Sequence, residues 1–471
     1  MSDQPAFDPG SVDTFRITDW DYDPASRLIT LRYAFDDHEH FAETVEFVTE
    51  PSTAGDRFDT GFDTEGFGRA VDHLHIAAGV SYFKAAAPAT VSIEQTALTP
   101  AEREFHRLLY DDGLREFAVA NGRPVPVDVH LTARTATVAP PGGLAPIRRR
   151  DGGGSSLVVP IGGGKDSMVL IEALRPLSPR LFAVNPHPLV RELAGLAGLE
   201  LIEVRRRLSP HLLELNGRGA LNGHVPITAI VSLIAVAGSY LYGYDTIAMA
   251  IERSASEETS MVGGVAVNHQ FSKSYPFETA LRQLVATSIE PNLTYGSALR
   301  PYSELAISRS FAGLTKYHGT FCSCNTAFRH DAAATDRWCG NCPKCRFVGL
   351  MLAPYLDRSA LTAIIGRDMF ADAGQIDGFR SLMSSSDKPF ECVGERRESA
   401  VALRLLGRRP EWARSPIVAA LAPTAETLVA DRDVEELMAP DPTLRLGIAD
   451  IEGLVSRLIG APVYPAVPSP P

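Results

Sequence analysis

Two short stretches of this chain carry residues whose types and spacing can do chemistry. In the first, Val158-Val-Pro-Ile-Gly-Gly-Gly-Lys-Asp-Ser-Met-Val-Leu170, an apolar run enters Gly162, Gly163 and Gly164 and leaves through Lys165, Asp166 and Ser167 into a helical pattern. Glycines let backbone N–H groups converge on an anion without obstruction, and a helix start adds partial positive charge. The composition is that of a phosphate cradle with an acid and a hydroxyl beside it. Spacing excludes two other nucleotide loops. A Walker loop has Ser or Thr directly after Gly-Lys and an earlier Gly where Val159 stands, but Asp166 follows Lys165 here. A Rossmann fingerprint ends on a Gly where this chain has Ser167. In the second stretch, Cys322-Ser-Cys324 precedes Cys339-Gly-Asn-Cys342-Pro-Lys-Cys345, and Cys392 stands apart as the sixth cysteine. Disulfide frameworks spread cysteines through small secreted chains; cysteines bunched in a long chain point to a metal. Cys-x-x-Cys presents two thiolates to one tetrahedral ion, the next cysteine a third, and Cys322 or Cys324 the fourth. Structural zinc is the expectation; an iron–sulfur cluster would use the same donors.

These residues need elements to hold them. Residues 1–145 open with alternating stretches at 27–35 and 41–48, the pattern of strands in a half-exposed sheet. Helical patterns follow at 70–86 and 100–119, the second with Thr99 as cap and Glu102 in its first turn. The stretch 140–156 is rich in Pro, Gly and Ser with a charge run, so residues 146–156 read as a linker. From 157 to 320, apolar runs at 157–161, 181–184, 199–204 and 246–251 alternate with helical patterns. Continuous apolar strands separated by helices indicate a parallel, doubly wound sheet. The expected fold class is therefore α/β. An α+β region precedes the sheet; the cysteine segment (321–346), a helical region (347–460) and a proline-rich tail (461–471) follow it. The 471 residues exceed one ordinary domain. The richest apolar run, 227–242, falls short of the roughly 20 residues a membrane span needs and reads as a buried helix. The opening residues hold Asp3, Asp8, Asp13, Asp19, Asp21 and Asp23 and no apolar core, so the expected location is the cytoplasm. A formal charge of −12 argues against a nucleic-acid partner, whose phosphates draw a basic excess.

The glycine loop resembles the PP-loop of ATP pyrophosphatases, Ser-Gly-Gly-x-Asp-Ser, with Gly162 in place of the first Ser. The resemblance implies that Gly162, Gly163, Gly164, Lys165 and Ser167 hold ATP phosphates. Asp166 would hold magnesium or orient the α phosphate, and Asn185, after the second strand of that region, would contact base or ribose. The cysteine segment is similar to that of the deazaguanine-forming PP-loop synthases, which carry Ser-Cys before Cys-x-x-Cys-x-x-Cys. That likeness selects Cys324 with Cys339, Cys342 and Cys345 as the zinc set and leaves Cys322 in support.

Taken whole, the chain resembles the ATP-dependent UDP-N-acetylmuramoyl-L-alanyl-L-glutamate epimerases of peptidoglycan synthesis, the MurL family. The resemblance rests on Tyr33-Ala-Phe-Asp-Asp37, Gly79-Val-Ser-Tyr-Phe-Lys-Ala85, Pro160-Ile-Gly-Gly-Gly-Lys-Asp-Ser167 and Asn222-Gly-His-Val-Pro-Ile-Thr228. It continues through Glu252-Arg-Ser-Ala-Ser-Glu257, Asn268-His-Gln-Phe-Ser-Lys-Ser274, Trp338-Cys-Gly-Asn-Cys-Pro-Lys-Cys345 and Pro389-Phe-Glu-Cys-Val-Gly394. It implies a UDP-sugar peptide substrate, ATP with magnesium, and AMP plus pyrophosphate as products. Arg253, Lys273 and Arg300 become candidates for neutralising diphosphate and carboxylates. His224, His269 and the thiol of Cys392 become candidates for proton transfer. Lys84, between Phe83 and a run of alanines, reads as a solvated helix residue. Two rival readings are a PP-loop enzyme activating a nucleobase or tRNA, and a silent nucleotide-binding module. The acidic charge weighs against the first and the intact Lys165-Asp166-Ser167 against the second.

Overall fold

In a computed structural model, residues 6–50, 64–136, 156–327, 337–384 and 388–461 are described. The expected linker, apart from Ser156, and the proline-rich tail beyond Ala461 lie outside them. The strands are β1 (Thr14–Asp23), β2 (Leu28–Phe35), β3 (Glu39–Phe47), β4 (Thr90–Leu98), β5 (His130–Thr135), β6 (Leu157–Pro160), β7 (Arg180–Val184), β8 (Leu201–Arg207), β9 (Thr246–Met249), β10 (Ser260–Val262), β11 (Val265–Val267) and β12 (Thr294–Ser297). Ten of them form one mostly parallel sheet in the order β12-β9-β6-β7-β8-β3-β2-β1-β4-β5, and β10 and β11 pair as a separate ribbon.

Hydrophobic patterning divides the sheet's labour. β1 and β2 alternate more and less buried residues along much of their length, as strands with one better-covered face must. β9 is buried at every position, and β7 at all but its last. Leu157, Val159, Leu181 and Ala183 enter one core with the C-terminal helices, while Val158 and Phe182 enter the other with the N-terminal strands and the helix Ile227–Tyr242. Among the described residues no helix is long and apolar enough to cross a membrane.

Two expected helices are each broken in two. Thr64–Ala78 and Val80–Phe83 part at Gly79, where a Cβ would meet Tyr110 Oη at 2.7 Å, so only glycine permits that approach. Pro100–Asp111 and Arg115–Ala120 part around Gly113. Thr99, expected as the cap of Pro100–Asp111, forms a reciprocal cap with Glu102, whose carboxylate accepts from Thr99 N–H at 2.8 Å. β1, β4, β5 and β12 are not signalled by apolar runs: β1 carries Arg16 and the exposed Asp19, Asp21 and Asp23, and β12 ends in Gly-Ser. Tertiary pairing supplies what propensity does not.

The N-terminal strands and the parallel half are not separate sheets. β3 pairs antiparallel with β8, Thr44 opposite Arg207 through Phe47 opposite Val204. Across that seam Arg206 Nε donates to Glu43 at 2.5 Å, and the same guanidinium reaches Ser81 Oγ at 2.9 Å. The two side chains are 7% and 0% exposed. Removing one partner of so buried a pair strands the other charge, a loss of about 3–5 kcal/mol, whereas apolar replacement of both is often neutral. Arg206→Ala is therefore expected to destabilise by about 3–5 kcal/mol in urea titration. Arg206→Met with Glu43→Leu should recover most of that. A double variant that loses the sum of the two single losses would show that the pair does not act as a unit.

Candidate active site

β6, β9 and β12 are adjacent and parallel, and the strand order reverses between β6 and β9. The carboxyl ends of strands at such a reversal open a crevice where α/β sheets bind ligands. β6 runs out at Pro160 and the chain turns through the three glycines into the helix Lys165–Leu174. Gly163 has φ +90°, a conformation that side chains strain to reach. Its carbonyl accepts from Cys322 N–H at 3.1 Å, and Ser167 Oγ donates to Gly164 O at 3.0 Å. With Gly164 as N-cap, no capping side chain competes for the first-turn N–H groups.

Lys165 is buried between Asp166, 2.5 Å away, and Glu304. Burial works against its charge, but the two carboxylates hold the ammonium well above its usual range. Glu252, just beyond β9, completes a trio: one oxygen from each of Asp166, Glu252 and Glu304 lies within 4.8 Å of the others. Burial, and next the charge of Asp166, pushes Glu304 up to about 7. Three crowded carboxylates beside one ammonium carry an excess negative charge that a hard divalent cation would relieve, with the oxygen donors magnesium takes.

A second cluster gathers Cys392, His269, His224 and Lys273, which lie far apart in sequence. Lys273 Nζ stands 3.5 Å from Cys392 Sγ, and Lys344 Nζ donates to the Cys392 carbonyl. Burial alone would raise the thiol's pKa; Lys273 and the hydrogen bond from His269, with Lys344 behind, bring it down to about 6. His269 Nδ1 lies 2.5 Å from Glu116 Oε2. Burial would lower that imidazole, but hydrogen bonds to Cys392 and Glu116 carry it up to about 9. Thiolate and imidazolium are thus the joint resting state at neutral pH. His224, its ring 4.4 Å from that of His269, goes the other way: burial and then the charge of His269 bring it down to about 4, so it is neutral. Donor atoms of Glu116, His224 and His269 also lie within 4.8 Å of one another, but His269 is engaged by Glu116 and Cys392.

Lys273 joins the two clusters. Its ammonium is held above its ordinary pKa first by Cys392 and, against burial, by Glu252 and Asp166. Arg300 lies beneath them, 1% exposed, its guanidinium bonded to Glu278 at 2.7 Å and to the carbonyls of Glu252 and Lys273 at 2.8 Å each. It anchors the site's backbone rather than offering a guanidinium to a ligand. Arg253 is half-buried and, among the described residues, has no ion-pair partner; its charge acts on Glu395 and Asp441. Asn185, φ +49°, uses its side chain to bridge both backbone groups of Arg206 at 2.8 Å, closing the end of β7 onto β8. Lys84 is not solvated: it is half-buried and donates to Asn222 and to the Gly223 carbonyl at 3.2 Å, steadying the loop before His224. Sequence reasoning missed Glu252, Glu304, Lys344 and Glu116. Glu252 directly follows the apolar run 246–251 and Lys344 sits between two cysteines, so both were findable; Glu116 has no local signal.

The third cluster is the cysteine set. Sγ–Sγ separations are 3.4 Å for Cys342 and Cys345, 3.7 Å for Cys339 and Cys345, and 4.0 Å for Cys324 and Cys342. Four sulfurs each about 2.3 Å from a tetrahedral zinc stand about 3.8 Å apart, so the donors suit that ion. Cys322 is turned away, donating from Sγ to the Arg337 carbonyl at 2.7 Å.

The chain has relatives along nearly its whole length. The MurL N-terminal domain matches residues 6–298 and the MurL C-terminal domain residues 320–436. The UDP-N-acetyl-alpha-D-muramoyl-L-alanyl-L-glutamate epimerase of Xanthomonas oryzae pv. oryzae is 38% identical over 442 residues, 92% of this chain and 95% of that protein. The enzymes of that name from Salinispora tropica and Micromonospora sp. are 40% and 39% identical, covering 87% and 90% of this chain and 88% and 94% of their own. No solved structure matches. With both domains matched in order and relatives aligned along nearly their whole length, the chain belongs to the MurL family.

Proposed function

We propose that this chain inverts the terminal L-glutamate of UDP-N-acetylmuramoyl-L-alanyl-L-glutamate to D-glutamate, using ATP to adenylate the glutamyl carboxylate and releasing AMP and pyrophosphate. The relatives' printed names supply the substrate and the inversion. The observation that carries the mechanism is Lys273, one ammonium acting on the Cys392 thiolate and on the carboxylates beside the glycine loop. Such sharing suits an activation step and a proton-transfer step on one bound molecule.

The chemistry explains why both steps are needed. An α-proton beside a free carboxylate is hardly acidic, because its removal puts a second negative charge on the same few atoms. Adenylation converts the carboxylate into a neutral, electron-withdrawing acyl group, and every 1.4 kcal/mol by which that lowers the barrier is about tenfold in rate. The loop N–H groups from Gly162 to Gly164, Lys165 and the Ser167 hydroxyl are suited to phosphates, and Arg253 and Lys273 to the substrate's anionic groups. Asp166, Glu252 and Glu304 would hold magnesium, which supplies charge neutralisation at the phosphates. Cys324, Cys339, Cys342 and Cys345 would hold a structural zinc. Cys392, His269 and His224 then serve the α-carbon: a thiolate, an imidazolium and a neutral imidazole at one place provide both an acceptor and a donor of protons.

Three results are expected. Elemental analysis of purified protein should find about one zinc per chain, and Cys342→Ser should lose metal and thermal stability together. Asp166→Ala should remain folded yet form AMP and pyrophosphate at least about 10²-fold more slowly; ADP and phosphate from the wild type would end the PP-loop assignment. Solvent deuterium should enter the glutamyl α-carbon only with ATP and magnesium present, and an ATP analogue blocked at the α–β bridge should support none. Cys392→Ser should still release pyrophosphate while losing deuterium exchange. ATP cleavage without inversion on this peptide would refute the epimerase reading.

A further inference from the structure

Glu116 comes to the thiol from the opposite half of the chain. It lies on Arg115–Ala120, which the capped helix Pro100–Asp111 leads into and which Arg115 ties to the Ala266 carbonyl at 2.9 Å, three residues before His269. The latter residue's backbone is itself held by Thr259 Oγ1 at 3.1 Å. With a carboxylate 2.5 Å from Nδ1, the proton on that nitrogen is fixed and Nε2 is left for Cys392, the group that does most to hold the ring's charge against burial. Carboxylate, imidazole and thiol in that order are the arrangement that activates a nucleophile: a base in reach of it, oriented by a third group.

We propose that Glu116, His269 and Cys392 form a triad whose thiolate takes the glutamyl group from its adenylate as a thioester, and that inversion occurs on that thioester. This deepens the adenylation reading and rests on it. A sulfur lone pair attacks the acyl carbon; the C–S bond forms, the acyl C–O bond to phosphate breaks, and its electron pair leaves on AMP. His224, neutral and beside His269, accepts the α-proton while the electron pair moves onto the thioester carbonyl; the His269 imidazolium gives a proton to the other face, and solvent then takes the proton from His224 and restores that of His269. Water then cleaves the C–S bond, giving carboxylate and thiolate and releasing two protons to solvent. The thioester carbonyl gains little resonance from sulfur and so acidifies the α-carbon. The covalent bond also keeps the planar intermediate in place while its face changes, after the anionic AMP has gone. In this scheme Cys392 is the catalytic nucleophile and Glu116 a positioning residue.

The test has two arms. Wild-type enzyme turning over ATP, magnesium and UDP-N-acetylmuramoyl-L-alanyl-L-glutamate is quenched in acid and its peptides are mapped by mass. The Cys392 peptide should carry the substrate's mass less one water, labile to hydroxylamine with release of a hydroxamate. Glu116→Gln should form this adduct at least about 10²-fold more slowly, and Glu116→Asp should restore part of the rate. Pyrophosphate release and deuterium exchange with no adduct at any quench time would overturn the thioester and leave adenylation standing; absence of pyrophosphate would sink both. The second arm needs no substrate: iodoacetamide labelling of Cys392 is followed against pH by peptide mapping. Loss of Glu116's charge weakens the imidazolium that stabilises the thiolate, so the labelling midpoint in Glu116→Gln should rise by about one pH unit. An unchanged midpoint in both Glu116 variants would overturn the triad.

Discussion

The buried Arg300–Glu278 pair is the contact on which the rest of the site depends. Both side chains are almost wholly out of solvent, and the guanidinium's remaining donors go to the carbonyls of Glu252 and Lys273. Glu278 in turn accepts from Ser297 N–H at 3.1 Å and from Arg282 at 2.9 Å, so the end of β12 is fastened to the same knot. Burying an ion pair costs desolvation that Coulomb attraction alone barely offsets; full hydrogen bonding on both partners makes it tolerable. The return is geometric. One rigid pair sets the backbone of the residue that faces the loop carboxylates and of the residue that faces the thiolate, so their side chains start from fixed points. A positively charged residue in a loop after a strand looks, in sequence, like a ligand for substrate. Here it is a foundation.

That foundation joins parts that the chain supplies from far apart. Glu116 belongs to the region before the glycine loop, His224 and His269 to segments flanking β9 and the β10–β11 ribbon, and Cys392 to the stretch before the helix Arg396–Gly407. They meet because β3 hydrogen-bonds to β8, making one sheet of two halves whose patterning differs, alternating on one side and continuously apolar on the other. A seam within a sheet fixes relative position more firmly than a linker between domains, since each residue pair in register adds a constraint. A reaction centre drawing side chains from both halves needs that firmness, because misplacement by about 1 Å can cost about 10²-fold in rate.

What the sequence disclosed follows physical range. The glycine loop, the capped helix at Thr99, the buried helix Ile227–Tyr242 and the cysteine spacing are local patterns, set by steps of a few residues, and each is visible without the fold. His224, His269, Lys273 and Cys392 were recognisable as reactive types, but only packing shows them within one cluster. Glu304 was out of reach because its partner is Lys165, 139 positions away, and Glu116 because its partner His269 is 153 positions away. Carboxylates on helices are common and uninformative until something buried faces them. Misreadings of Lys84 and Arg300 have the same cause: a long cationic side chain can snorkel to solvent or turn inward, and local sequence does not decide which.

The cysteine quartet reaches both other clusters through its neighbouring residues. Its lead-in, Cys322, donates its backbone N–H to the Gly163 carbonyl at the apex of the glycine loop. Its spacer residue Lys344, held between Cys342 and Cys345, reaches the Cys392 carbonyl and adds to the field that stabilises the thiolate. Cys342 also caps the helix Pro343–Leu352, its Sγ accepting from Cys345 N–H at 3.4 Å, so the direction of that helix is set by the same sulfurs. Closing four thiolates around one ion would therefore fix three things together: the loop that suits phosphates, the ammonium beside Cys392, and the first helix of the C-terminal region. A site of this kind would be structural in its coordination and functional in its consequences, because the four sulfurs and the residues between them tie the glycine loop to the backbone of Cys392.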